Sequence, residues 1–150
     1  MSISSFSSNA ETVELPLDSI GEGFSRLRIV NPAAESAIFR SMERYGQIMP
    51  VVVSKIDVND YQLLDGFKRL RSAKTLSMKS LKAQIMRLNI RAGKAALVQL
   101  NWVGKSINSM EEALVVHSLF HEDALSQIEI ATLLGRHKSW VCRRIALIDR

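Results

Sequence analysis

A single cysteine, Cys142, stands among 150 residues, so no internal disulfide can form, and no His/Cys cluster at metal-ligand spacing surrounds it. That argues against a disulfide scaffold and against a structural zinc site. No run approaches the roughly 18 consecutive apolar residues that a membrane span needs, and the first eleven residues lack the apolar core of a secretion signal. The chain is therefore expected in the cytoplasm. Aromatic residues are scarce at 6%, but hydrophobic residues reach 47%, enough for one respectable core or for an α/β domain with a small helical appendage. Residues 1–11, rich in Ser and Asn and without periodicity, are expected to be a flexible leader.

The most informative scarcity is of acid. Between Gly66 and Met110 lie ten of the twenty basic residues and none of the fifteen acidic ones, so this block carries +10 and the remainder −5. A one-sign block repels itself unless an anion faces it, which points to phosphate on a nucleotide or a nucleic acid. The bland alternative is a solvated basic face that aids solubility. At the head of the block stands Asp65-Gly66-Phe67-Lys68-Arg69-Leu70-Arg71-Ser72-Ala73. An apolar run, a glycine and a helix-compatible pattern with three cations predict a strand, a tight turn and a helix start. Glycine lets backbone approach a ligand, and the free N–H groups of a helix N-terminus favour an anion. Gly66, Lys68, Arg69 and Arg71 are thus candidate phosphate-binding residues.

Along the chain, Glu14 to Ile20 alternates around Pro16 and suits an edge strand or its approach. Asn31-Pro32 is an N-cap with proline at the first helical position, and Ile38, Met42 and Tyr45 carry an apolar stripe until Gly46, so a helix is expected from about Pro32 to Tyr45. Val51-Val52-Val53 and Tyr61 to Leu64 flank the polar turn Asp57-Val58-Asn59-Asp60 as a hairpin, and Leu81 to Ile85 alternates as a further strand. From Arg91 onward the pattern is helical: Ala95 to Val103, Met110 to Phe120, then two shorter helices. Asn108 and Glu111 form a capping pair for the second of these. The composition shift near Ala92 marks a candidate boundary, giving an α/β domain over 12–91 and a helical domain over 92–150.

Leu125 to Val141 carries the second signal. Ser126 and Glu129 make a capping box, Ala131 is a small residue where helices touch, and Gly135 supplies a left-handed turn. Val141, Ile145 and Ile148 continue an inward stripe. This is helix-turn-helix spacing over 125–146, whose second helix enters the DNA major groove. Arg136, Lys138, Ser139, Arg143 and Arg144 lie off the stripe and are the candidate DNA contacts; the alternative is a helical hairpin that binds nothing. Trp140 is left open between packing inward and stacking on a partner. His117, His121 and His137 are not a metal set: His117 and His121, one turn apart, permit joint ligation, but no third ligand is evident and an exposed helical face explains them more simply, so no metal site is assigned. No motif supports Ser-His-Asp chemistry, and no catalytic residue is assigned.

With both signals in place, the order of parts resembles the ParB family of DNA partition proteins and its nucleoid-occlusion relatives. Gly66-Phe67-Lys68-Arg69-Leu70-Arg71-Ser72-Ala73 stands where the family has a GERRxRA box, Tyr45 to Val53 looks like the preceding segment, and Ile107 to Ala113 resembles the run that opens its next helix. Leu125 to Ile145 matches the family's helix-turn-helix almost position for position. The resemblance, from about Leu15 onward, implies an α+β fold. A small mixed-sheet ParB/sulfiredoxin-like domain would come first, followed by an all-helical helix-turn-helix domain. It also implies CTP with Mg2+ as ligand, double-stranded DNA as partner, a homodimer, a partition ATPase as a further partner, and association with nucleoid or plasmid.

The departures from that pattern carry their own implications. Phe67 replaces the acidic residue of the first box and Lys68 its first arginine. The family's ENLQR-like box falls on Leu100-Asn101-Trp102-Val103-Gly104. Asn101, the metal-contacting position, is retained, while Leu100 replaces the glutamate linked to hydrolysis. Leucine can neither position nor activate water, so a bound nucleotide is expected to be held rather than turned over. A sulfiredoxin activity is set aside because Phe67 and Lys68 occupy the turn where that enzyme needs its reactive cysteine. The alternative of another class is a phosphoester-cleaving enzyme of the same fold, a nucleotide hydrolase or nuclease; an adaptor for an acidic protein is a third. The chain reaches Asp149-Arg150 before any separate dimerisation domain, so it is expected to be part of a longer protein.

Overall fold

The structure is a computed structural model of the chain that describes residues 12–104 and 106–149; the leader expected over 1–11 lies outside them. The chain divides at Asn89/Ile90 into two compact units. The first is built on a five-stranded mixed sheet: β1 (Thr12–Pro16), β2 (Ile20–Gly21), β3 (Val51–Asp57), β4 (Asp60–Asp65) and β5 (Ser80–Met86). Their spatial order is β1-β5-β3-β4-β2, with β3 paired antiparallel to β4 and parallel to β5. Central position explains the β-branched run, because Val51, Val52 and Val53 are all buried.

Helix α1 (Pro32–Tyr45) starts where Asn31 Oδ1 accepts the N–H groups of Ala33 and Ala34, and it ends at Gly46. Helix α2 (Phe67–Thr75) follows β4 through Gly66. Leu63, Leu64, Leu70 and Leu81 are fully buried. Each such side chain contributes on the order of 1.5–3 kcal/mol by leaving water.

The expected edge strand from Glu14 to Ile20 is divided. Pro16 has no N–H for the ladder, and a 3-10 turn at Leu17–Ser19 carries the chain from β1, at one edge, to β2, which pairs parallel with β4 at the other edge. Between α1 and β3, Gln47 substitutes for strand pairing: its side chain donates to Lys82 O (2.8 Å) and accepts from Lys82 N (2.7 Å). This fixes the Gly46–Pro50 segment to β5.

The second unit is helical: α3 (Ile90–Val103), α4 (Ser109–His121), α5 (Gln127–Leu134) and α6 (Lys138–Ile148). Helix α3 begins five residues before its expected start at Ala95. Lys94 breaks the apolar pattern in sequence, yet it is buried and paired with Asp123 at 2.5 Å. Asn108 and Glu111 form the capping box of α4. Leu97, Val98, Val115, Leu119, Ile130, Leu134 and Val141 make the core of this unit.

Candidate functional site

Glycine is required at the entry to α2. Gly66 sits at φ +106°, and a Cβ there would lie 2.5 Å from Val51 Cγ1. No side chain caps the helix that follows, which leaves its first N–H groups without a side-chain acceptor, the condition under which a helix N-terminus favours an anion. The cations of this turn do not converge on one point. Arg69 donates to Met49 O (2.8 Å) and Pro50 O (2.7 Å) and pairs with Asp65 at 3.3 Å. Its guanidinium therefore fastens the Gly46–Pro50 segment to α2. Arg71 is held by Glu35 of α1, and Lys74 by Glu22 at 2.6 Å. Lys68 is the one of the three candidate cations whose side chain makes no hydrogen bond or ion pair with the described residues.

The acid-free block is thus partly neutralised by carboxylates from elsewhere in the chain. Glu22, Glu35 and Asp65 serve Lys74, Arg71 and Arg69, while Asp123 serves Lys94 and accepts at its backbone carbonyl from Arg91. The inference that such a block needs an external anion is corrected to that extent: distance in sequence hid the partners. Beside Arg71, a cavity of about 340 Å³ opens between α1 and α2, lined by Glu35, Ser36, Phe39, Arg40, Ser72 and Thr75. Lys68 and Arg71, three residues apart, share a helix face, whereas Arg69 lies about 100° around from Lys68.

Asn101, a candidate ligand-contacting residue, is buried. Its amide donates to Leu97 O (2.6 Å) and its carbonyl accepts from Ser106 Oγ (2.7 Å). Leu100 beside it is half-buried.

In the helical unit, Ser126 Oγ accepts from Glu129 N, and the Glu129 carboxylate accepts from Ser126 N at 3.0 Å. That backbone N–H, and then the Ser126 hydroxyl, hold the Glu129 carboxyl below the ordinary carboxylate range. Gly135, at φ +67°, ends α5, with Arg136 N bonded to Ala131 O and Gly135 N to Thr132 O. This pair of bonds is a Schellman closure, which turns the chain sharply into α6.

The five candidate DNA contacts separate into two groups. Lys138, Ser139 and Arg143 are exposed, and their side chains make no hydrogen bond or ion pair with the described residues. Arg144 instead donates to the buried Glu112 (3.0 Å) and stacks on Trp140 at 4.7 Å. Arg136 lies over Trp102, 4.2 Å from the ring centroid. Trp140 packs inward, edge-on to Trp102 at 6.0 Å, and Trp102 Nε1 donates to Glu112. Sequence reasoning missed Trp102 and Glu112 as the residues that hold Arg136 and Arg144, because they lie on α3 and α4.

The two histidines of α4 acquire the third group that the sequence did not show. His117 Nε2 lies 3.0 Å from Asp149 Oδ1 and His121 Nε2 3.1 Å from Asp149 Oδ2. The hydrogen bond from His121, followed by the charge on His117, lowers the Asp149 carboxyl, against the opposing effect of burial. Packing of α6 on α4 creates this set from residues 28 and 32 positions apart.

The architecture is that of partition-protein and sulfiredoxin folds. ParB of Caulobacter crescentus, complexed with CTP-gamma-S, superposes with a TM-score of 0.53 at 20% identity, covering 93% of this chain and 79% of that one. The same protein complexed to the centromeric parS site gives 0.54 at 21%, covering 91% and 71%. Sulfiredoxin from Arabidopsis thaliana gives 0.51 at 22%, covering 58% of this chain and 97% of that one.

The chain belongs to the ParB N-terminal domain family, whose model matches residues 2–101. The probable chromosome-partitioning protein ParB of Vibrio cholerae is 26% identical over 144 residues, 95% of this chain and 49% of that protein. The chain thus spans about half the length of such relatives.

Proposed function

We propose that this protein is a ParB-type, sequence-specific DNA-binding protein of plasmid or chromosome partition, or of related transcriptional control, whose α/β unit binds CTP. The observation that carries the DNA reading is the open surface of α6. Lys138, Ser139 and Arg143 project unpaired from a helix entered through a left-handed glycine, in the arrangement that lets a second helix read the major groove. Arg136 and Arg144, held against tryptophans, contribute positive field at its flanks and keep α6 in position. Two copies acting together would cover enough base pairs for useful specificity, and a partition ATPase is the partner expected in the cytoplasm at the nucleoid or plasmid.

For the nucleotide, the supports are the uncapped N-terminus of α2, the free Lys68 and the cavity beside Arg71. Glu35 occupies the Arg71 guanidinium now, so a phosphate taking that place must displace it. Arg69 supports the turn rather than offering free donors. Mg2+ contact by Asn101 would require its side chain to leave Leu97 and Ser106. Leucine at position 100 offers no group to activate water, so the nucleotide is held as a ligand.

The test is a selection of bound duplexes from a random pool, run with and without CTP. An enriched sequence whose yield changes with CTP is expected. Failure to bind any duplex at low salt would overturn the DNA reading, and failure of CTP to bind in direct calorimetry would overturn the nucleotide reading.

A further inference from the structure

His117, His121 and Asp149 form a compact donor set for which the DNA and nucleotide readings have no use. The two imidazoles stand one turn apart on α4 with ring centroids 4.2 Å from each other. The carboxylate comes from the residue that closes α6. One ligand atom from each residue falls within 4.8 Å of the others, and all three side chains reach solvent. A tetrahedral ion with bonds of about 2.0–2.2 Å separates its ligand atoms by about 3.4 Å, so small side-chain adjustments suffice to admit one.

We infer that these three residues bind a divalent transition-metal ion of the zinc type. Two imidazoles and one carboxylate suit Zn2+, Ni2+ or Cu2+, whereas Mg2+ and Ca2+ favour shells made mostly of oxygen. Two neutral imidazoles and one carboxylate leave a single negative charge to meet the dication. Any hydrogen between Nε2 and the carboxylate leaves on binding, passing to Nδ1 or to solvent. With three protein ligands the fourth position belongs to water. The ion acts as a clip: it ties the C-terminal end of α6 to α4, while Lys138, Ser139 and Arg143 remain outside the coordination sphere.

The experiment titrates the whole chain with Zn2+ by calorimetry and follows Co2+ by its visible absorption, with circular dichroism to verify folding of each variant. One Zn2+ per chain, a tetrahedral Co2+ spectrum and a melting temperature that rises with Zn2+ and falls again with EDTA are expected. His121→Ala and Asp149→Asn should each weaken Zn2+ by at least about 10-fold, the least that disturbing a metal site's surroundings has. His137→Ala and Cys142→Ser should change nothing, since neither residue belongs to the set. Absence of Zn2+ binding by the parent chain, equal response to Mg2+, or affinity that survives both His121→Ala and Asp149→Asn would overturn the assignment.

Discussion

Arg69 and Arg143 are both cations on short helices entered through a left-handed glycine, yet they do opposite things. Arg69, on α2, donates to two backbone carbonyls and pairs with Asp65. Arg143, on α6, touches no partner among the described residues. The turn before α2 uses much of its charge to hold itself together, and the start of α6 keeps its charge available. Net charge in a window of sequence therefore overstates what a ligand can meet. The useful quantity is the number of donors left over after the protein's own acceptors are served.

Neighbouring residues make the sharpest version of this contrast, and the largest effect is expected at Arg144. Arg144→Ala leaves the buried Glu112 carboxylate with the Trp102 N–H but without its cation, and removes the stacking on Trp140, so it should destabilise the helical unit by about 3 kcal/mol. A denaturant midpoint equal to that of the parent would erase the distinction between held and free cations. Next comes Arg69→Ala, which removes charge-assisted bonds to Met49 and Pro50 and should cost about 2 kcal/mol. Because that change weakens the fold, loss of nucleotide binding in Arg69→Ala says little by itself. Lys68→Ala is the cleaner probe, and should lower CTP affinity with the melting temperature unaltered.

At Arg143 the signs reverse. Arg143→Ala should leave stability within about 0.5 kcal/mol and weaken binding to the selected site by at least about 1 kcal/mol, more than it weakens non-specific DNA. Equal losses on both kinds of DNA, measured by anisotropy, would reduce Arg143 to a backbone contact.

The smallest effect concerns the cap of α5. The lowered Glu129 carboxyl contributes stability that is fully present above its ordinary value of 4.5 and is lost as pH falls through its lower, folded-state value. Glu129→Gln should therefore flatten the acid limb of the stability profile below pH 4.5, and an unchanged limb would show that the capping box has no part in it.

Much of the fold was legible because the signals were local. Asn31-Pro32, the Asn108/Glu111 pair and Ser126 with Glu129 each announce a helix start within four residues, and the helices begin there. Pro32 to Tyr45 needed only its two caps; of its expected apolar stripe Met42 is buried, while Tyr45 at the end of the helix is exposed. Two elements escaped for non-local reasons. The segment after Pro16 crosses to the opposite edge of the sheet to pair with β4, and the N-terminal part of α3 contains a lysine, Lys94, whose burial is matched by its pairing with Asp123. The candidate site divided in the same way. The glycine at position 66 and the open face of α6 follow from spacing, but Glu35, Glu112 and Asp149 gave no sign of where they would act.

Order along the chain, helix caps and apolar periodicity determined the mixed-sheet unit and the helical one, since each depends on contacts within a turn or a strand pair. Only the tertiary structure decided which cations remain free, what holds Trp140, and that two histidines meet an aspartate. Those outcomes depend on side chains brought together from tens of residues apart, where proximity is set by packing and carries no local pattern.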